Sequence, residues 1–338
     1  MNDRFLRACR REPVDCTPVW FMRQAGRYMA EYRALRAKHS MLELCRTPEL
    51  ALEVTLQPIR LGVDAAIVFS DILLPLEPMG APVHFSKSDG PVLEPIRDQA
   101  DVDRLQVIEP RETLDYVLES IRMLRKELKI PLIGFAGGPF TLASYLIEGG
   151  KSTTYVRTKR LMLAEPDIWN SLMAKLSEVV RRHLRAQVEA GAQAVQLFDS
   201  WVGQLAPEDY TDLVAPHVHM ILSDLQTTGV PVIHFGTGTA TLLESMAAAG
   251  GTVLGLDWRV PLDQGWKRIG HDRAVQGNLD PTTLFAPREI IQKRATSILE
   301  RAAGRDGHIF NLGHGILPET PEAEVQALID FVHESTRR

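Results

Sequence analysis

The chain has 338 residues, 45% of them hydrophobic and 24% charged, with a formal net charge of −5. That is an ordinary globular composition with ample core, and without a sustained basic run it excludes a general nucleic-acid binder. The three cysteines, Cys9, Cys16 and Cys45, are odd in number and hold no CxxC pair, so neither a disulfide framework nor a zinc ribbon is expected.

The first residues, MNDRFLRACRREP, lack the apolar stretch of a secretory signal, and no apolar run reaches the ~20 residues of a membrane span. The expectation is a cytoplasmic protein. Residues 3–10 read as a short amphipathic helix carrying Phe5 and Leu6. An apolar run over 19–22 follows, and apolar side chains on both faces suit a buried parallel strand. It stops at Arg23 and Arg27. If the chain turns helical there, a spacing of four puts both guanidiniums on one side, as a fork for two carboxylates. The plainer alternative is a solvated pair or a salt bridge to Glu31.

Helices are predicted over 28–37 and 48–61, the second opened by Thr47 as cap and Pro48 in its first turn. The run 65–69 reads as a strand ending in Ser70-Asp71. In the Pro- and Gly-rich stretch 75–103, the segments 83–85 and 91–93 around Ser88-Asp89-Gly90 predict a hairpin. Residues 111–128 read as helix, 130–135 as strand, and 168–190 as a long amphipathic helix closing on Gly191. Strands are predicted at 194–198, 230–235, 252–256, 274–276 and 308–311, with helices such as 241–249 and 287–303 between them. Eight strand candidates alternating with helices predict one domain over 1–338, a single (β/α)8 TIM barrel.

In such a barrel the C-terminal strand ends carry the active site, and here they carry polar groups: Arg23, Asp71, Asp199-Ser200, His234, Asp257 and His314. An aspartate after a strand often caps the next helix, but Ile72-Leu73-Leu74-Pro75 is a poor first turn. A carboxylate in an apolar mouth suits the acceptance of several N–H donors instead. Either Asp199 or Ser200 suits a cap. Gly236-Thr237-Gly238 is a weak phosphate-loop pattern, and its glycines are expected to let the backbone approach a large flat ligand. His217 and His219, on a helix, point to opposite sides and do not form a joint metal site.

The stretch PVWFMRQAGRY at 18–28 resembles the N-terminal signature of the uroporphyrinogen decarboxylases, and GFAGGPFTLASYLIEG at 134–149 resembles their second. The similarity runs on to NLGHG at 311–315. The resemblance implies removal of the four acetate carboxyls of uroporphyrinogen III as CO₂, giving coproporphyrinogen III in porphyrin biosynthesis, by a homodimer that uses no cofactor and no metal. It implies that Asp71 holds the pyrrole N–H groups at the macrocycle centre. It further implies that Arg23 and Arg27 grip carboxylates and serve the reaction, and that Tyr145, Ser200 and His314 bind substrate. No cofactor is needed because protonating a pyrrole carbon beside the acetate makes the electron sink in the substrate itself. Two rivals exist. Zinc-dependent methyltransferases of the same superfamily need a His-x-Cys and a later cysteine, but this chain reads His234-Phe235-Gly236 with no cysteine after Cys45. A non-catalytic tetrapyrrole-binding barrel would tolerate loss of Asp71, Tyr145 and His314, which are all present.

Overall fold

The computed structural model describes residues 2–86 and 90–338. The apolar runs form strands β1 (Ala66–Ile67), β4 (Leu132–Gly137), β5 (Ala194–Asp199), β6 (Val232–Gly236), β7 (Val253–Gly255), β8 (Ala274–Gln276) and β9 (His308–Ile309). Between β1 and β4 lie β2 (Val83–Ser86) and β3 (Gly90–Leu93), an antiparallel pair. The predicted hairpin is therefore present, while Ser88 and Asp89 of its tip lie outside the described residues.

The other seven strands make one parallel sheet in strict chain order, each beside its successor. This order arises because a helical connection follows most strands and returns the chain to the same end of the sheet. Eight strands were expected, and seven are paired here. The missing one is the opening run at 19–22, which forms a single bridge, Val19 with Phe310. Three of its four amides bond to side chains, and only Trp20 N–H reaches the neighbouring strand end, at Phe310 O (3.4 Å). Val19 N–H donates to Asp64 Oδ2 (2.8 Å), Phe21 N–H to Gln24 Oε1 (3.1 Å) and Met22 N–H to Asn311 Oδ1 (3.4 Å). Even so, Val19 O accepts from Asp64 N–H and Pro18 O from Phe310 N–H, so the segment touches both edges of the sheet.

The predicted helix over 48–61 ends early, at Leu56, and continues as 3₁₀ turns over Gln57–Leu61. Pro58 has no N–H to extend the α-helical ladder. The predicted 111–128 helix is two, Pro110–Thr113 and Asp115–Glu127. Helix Pro166–Ala190 runs as expected and stops at Gly191, whose φ of +119° suits glycine. A Cβ there would also lie 2.8 Å from Arg125 Cγ.

Two apolar layers result. The inner one gathers Trp20, Ile133, Ala194, Ile233 and Ile309 with Phe5 of helix Arg4–Cys9, whose ring meets Trp20 edge-on at 6.4 Å. The outer layer lies between sheet and helices, with Trp169, Leu176 and Val180 of the long helix at its heart. Inside the sheet's curve, Trp20 Nε1–H donates to Gln276 Oε1 (2.9 Å) and Gln276 Nε2–H to Gln196 Oε1 (3.2 Å), which satisfies buried amides that would otherwise be costly.

Candidate active site

Two chain ends meet to place Arg23. Ile316 N–H donates to Met22 O (2.9 Å), drawing the 311–316 loop against the opening segment. A Cβ on Gly315 would lie 2.5 Å from Arg23 Cδ, so the glycine is what leaves a path for the arginine stem. Arg23 itself adopts φ +59°, a left-handed conformation that side chains other than glycine seldom take. Gln24 stabilises that turn. Its buried amide accepts from Phe21 N–H and donates to Ala65 O (3.0 Å), and its carbonyl accepts from the Tyr28 hydroxyl (2.7 Å). Much of the QAGRY stretch is therefore scaffolding for one arginine.

The same turn corrects an expectation. The chain does not become helical after Arg23; the next helix is Ala30–Lys38. Arg27 consequently does not share a helical face with Arg23, and it does not line the cleft that Arg23 lines. Glu31, the suggested partner, pairs with Arg60 at 2.9 Å.

Asp71 follows β1. Its Oδ1 accepts from Leu73 N–H (2.8 Å), so the residue does cap a turn, the one leading into the 3₁₀ helix Leu74–Leu76. Its Oδ2 has no hydrogen-bond partner among the described residues. Desolvation raises the carboxyl above its ordinary value, while the Leu73 N–H and the Arg23 guanidinium pull it back. Tyr145 belongs to the same field: burial and Asp71 lift its phenol well above the usual value, and Arg23 opposes them. His314 is pushed down to about 4, first by burial, then by Arg23 and Arg259, against Asp257. Its Nδ1 accepts from Gly315 N–H (2.6 Å), so the neutral ring carries its proton on Nε2 and can donate there. Arg23 thus links Asp71, Tyr145 and His314 electrostatically.

Tyr145 sits on helix Pro139–Glu148, and its ring lies 4.1 Å from that of Trp201, tilted by 33°. Trp201 N–H is held by Thr141 Oγ1 (3.3 Å), one helical turn before Tyr145. Arg23, Tyr145 and Trp201 line a cavity of about 540 Å³ together with Lys151, Ser152 and Thr153. Sequence reasoning missed the last three and Trp201; the only signal was Lys-Ser-Thr directly after Gly149-Gly150. Ser200 is half-buried beside Trp201, and its carbonyl accepts from the Thr237 hydroxyl (2.5 Å).

Other strand-end groups bond within the protein. Asp257 binds Arg259 (2.6 Å) and Gly238 N–H, and Asn278 donates to Asp257 O (2.8 Å). His234 is buried within β6. The glycines at 236 and 238 pack closely in their loop: a Cβ on Gly236 would meet Asp199 O at 3.0 Å, and one on Gly203 would meet Thr237 O at 2.2 Å. His217 and His219 share helix Ala215–Gln226. His219 faces Ala249 O at 3.1 Å. Among the described residues no group of three or more His, Cys, Asp or Glu is arranged to hold a metal, and no helix is long and apolar enough to cross a membrane.

The family model described as uroporphyrinogen decarboxylase (URO-D) matches residues 1–335. The chain belongs to the uroporphyrinogen decarboxylase family. It is 68% identical to the uroporphyrinogen decarboxylase of Sorangium cellulosum, across 100% of this chain and 97% of that protein. With that of Carboxydothermus hydrogenoformans it shares 59% identity, across 99% and 97%. Among solved structures, a methyltransferase from Methanosarcina mazei superposes with a TM-score of 0.82 at 23% identity, covering 99% of this chain and 98% of that one. At that identity the likeness shows the fold alone, an α/β parallel sheet common to both. The thiolates a zinc methyltransferase needs are not in this chain's site: Cys9, Cys16 and Cys45 are all buried and all precede Asp71.

Proposed function

We infer that this chain decarboxylates uroporphyrinogen III to coproporphyrinogen III in porphyrin biosynthesis, with family membership over nearly the whole chain as the support. The observation that carries the residue assignment is Asp71: a partly desolvated carboxylate with one oxygen unengaged among the described residues, in the field of Arg23 and Tyr145. Four pyrrole N–H groups are the donors such an acceptor lacks.

In each cycle a pyrrole carbon beside the acetate takes a proton, leaving a cation conjugated with the methylene. The C–COO⁻ bond breaks, CO₂ departs, and its electron pair neutralises the ring. The resulting exocyclic methylene takes a second proton as the ring proton leaves. Each turn thus consumes one proton and gives one CO₂ and one methyl. Asp71 holds the macrocycle by its N–H groups and stabilises the cation. Arg23 grips the carboxylates, with Arg27 adding positive charge at the entrance. Tyr145 and Ser200 bind substrate, and His314, neutral with a donor at Nε2, holds a carboxylate. The residues form one domain, with the Pro18–Trp20 segment as the eighth stave that closes the barrel, and the protein acts as a cytoplasmic homodimer without cofactor or metal.

The test is anaerobic turnover of uroporphyrinogen III under reducing conditions, with products resolved by chromatography. Stepwise loss of four CO₂ is expected. No conversion by folded protein would overturn the assignment, and loss of activity on chelation with recovery on zinc would favour the methyltransferase reading.

A further inference from the structure

The six residues lining the cleft cavity comprise two cations, Arg23 and Lys151, three hydroxyls, Tyr145, Ser152 and Thr153, and one indole, Trp201. None is a carboxylate. A lining with so many donors and no acidic side chain suits an anion, and its two cations are carried by different parts of the chain. Arg23 belongs to the opening turn. Lys151, Ser152 and Thr153 belong to the loop after helix Pro139–Glu148.

That loop is fixed at several points. Gly149 takes φ +81° and ends the helix, and its carbonyl accepts from Leu93 N–H of β3 (3.1 Å). Gly150 bridges Val92 antiparallel, and a Cβ on Gly150 would press to 2.9 Å from Pro91 O. Glu148 Oε1 accepts from both the N–H and the hydroxyl of Thr158 (2.9 Å each), pinning the far side of the loop to the next helix. Ser152 Oγ accepts from Tyr155 N–H (3.0 Å). With a lone pair committed in that way, the Ser152 proton is free to be donated outward.

Lys151 is exposed and makes no ion pair or hydrogen bond with a described residue. Its stem lies over Gly90, where a Cβ would sit 3.1 Å from both Cε and Nζ, so the glycine leaves room for the ammonium. A cation without a partner among the described residues, beside two hydroxyls on a loop fixed at several points, binds an anion without a large ordering cost.

We propose that Lys151, Ser152 and Thr153 form a second carboxylate-binding position, separate from Arg23, which holds a further carboxylate of the same substrate. This rests on the decarboxylase reading, in which the substrate carries eight carboxylates on a flexible ring. A lysine suits the task because its ammonium is a rotatable point charge without the planar geometry of a guanidinium. It can accept a differently placed carboxylate as acetates are lost over four successive turns.

The experiment compares wild type with Lys151→Ala and Lys151→Arg in steady-state turnover of uroporphyrinogen III. It adds a titration of each with uroporphyrin, followed by Trp201 fluorescence. The alanine variant is expected to raise KM and the uroporphyrin Kd by about five- to thirtyfold, the range for a partly exposed charge-assisted contact, with the loss in kcat/KM carried by KM. Its kcat/KM should also fall less steeply with added salt, and Lys151→Arg should recover most of the affinity. Wild type that turns over normally beside an alanine variant with unchanged KM and Kd would overturn the second position and leave the decarboxylase reading standing. Loss of kcat in place of affinity, or no recovery by arginine, would overturn it equally. No turnover by wild type would bring down both readings together.

Discussion

Asp64 and Asp71 stand on either side of β1, one before the strand and buried, the other after it and half-buried. Asp64, with a side chain 1% exposed, is engaged on both oxygens. Oδ1 accepts from Asn2 Nδ2 (3.1 Å) and Arg4 (2.5 Å), and Oδ2 from Val19 N–H (2.8 Å) and His333 Nε2 (2.7 Å). It joins the N-terminal helix, the opening segment and the C-terminal helix Glu322–Ser335 at one point. Asp71 accepts one N–H, and its other oxygen has no partner among the described residues. A buried carboxylate with its acceptor positions filled is a structural staple. One with a vacancy, in the field of an arginine and a phenol that line the cleft, is arranged for donors that arrive from outside.

The strongest way to break this contrast is to change Asp71. Asp71→Asn keeps shape and one acceptor oxygen but presents NH₂ toward donors and removes the charge. If two charge-assisted bonds of about 1.5–3 kcal/mol each are lost, kcat/KM falls by roughly two to four orders of magnitude, with kcat affected. Single-turnover decarboxylation measures the first, and a thermal melt should be nearly unchanged. A variant that retains most of its activity would remove Asp71 from the mechanism.

Asp64→Ala should do the reverse. Leaving His333 and Val19 N–H without their acceptor, and Arg4 with Asp15 as its one remaining carboxylate, should destabilise the fold by about 3–5 kcal/mol, read as a lowered denaturant midpoint. The fraction still folded should turn over at the wild-type rate per molecule. If activity fell well beyond the loss of folded protein, the division between staple and site would be wrong.

Arg23→Lys sharpens the functional side. It keeps the charge and loses the planar fork, so a bidentate grip predicts a fall in kcat/KM of about ten- to a hundredfold. Near wild-type kinetics would reduce Arg23 to a diffuse positive charge.

These residues differ in how far the sequence announced them. Asp71 and Tyr145 were legible because a strand end or a signature motif places them whatever the details. Arg27 was misplaced because a spacing of four implies a shared face only on a helix, and the left-handed φ of Arg23 ends that possibility. The opening strand misled for a related reason. Its apolar pattern is the same whether its amides bond to a neighbouring ladder or to Asp64, Gln24 and Asn311. The last of these lies 289 residues from Met22, the amide it receives. Lys151 gave no sign beyond its place after Gly149-Gly150, since a lysine in a Gly-rich loop is ordinarily solvated, and the cavity reveals what it faces.

The smallest expected effect concerns His314 and pH. Burial and the two arginines hold its folded pKa at about 4, below the ~6.5 of an unfolded histidine. As pH falls from about 6.5 to about 4, the unfolded chain takes up this proton and the folded protein does not. The stability linked to His314 is therefore fully present above about 6.5 and lost as the pH drops through that window. His314→Gln keeps a neutral donor and cannot titrate, so it should escape that loss. Other buried histidines, His183 and His308, are also held near 4 by burial, but they act alike in both proteins and cancel in the comparison. Discounted for partial exposure, the wild type should lose about 1–2 kcal/mol more than the variant between pH 7 and pH 4. Denaturant melts of both proteins across that range give the difference directly. Parallel loss would mean that His314 is charged or solvated in the folded state, and the neutral Nε2 donor assigned to it would have to be abandoned.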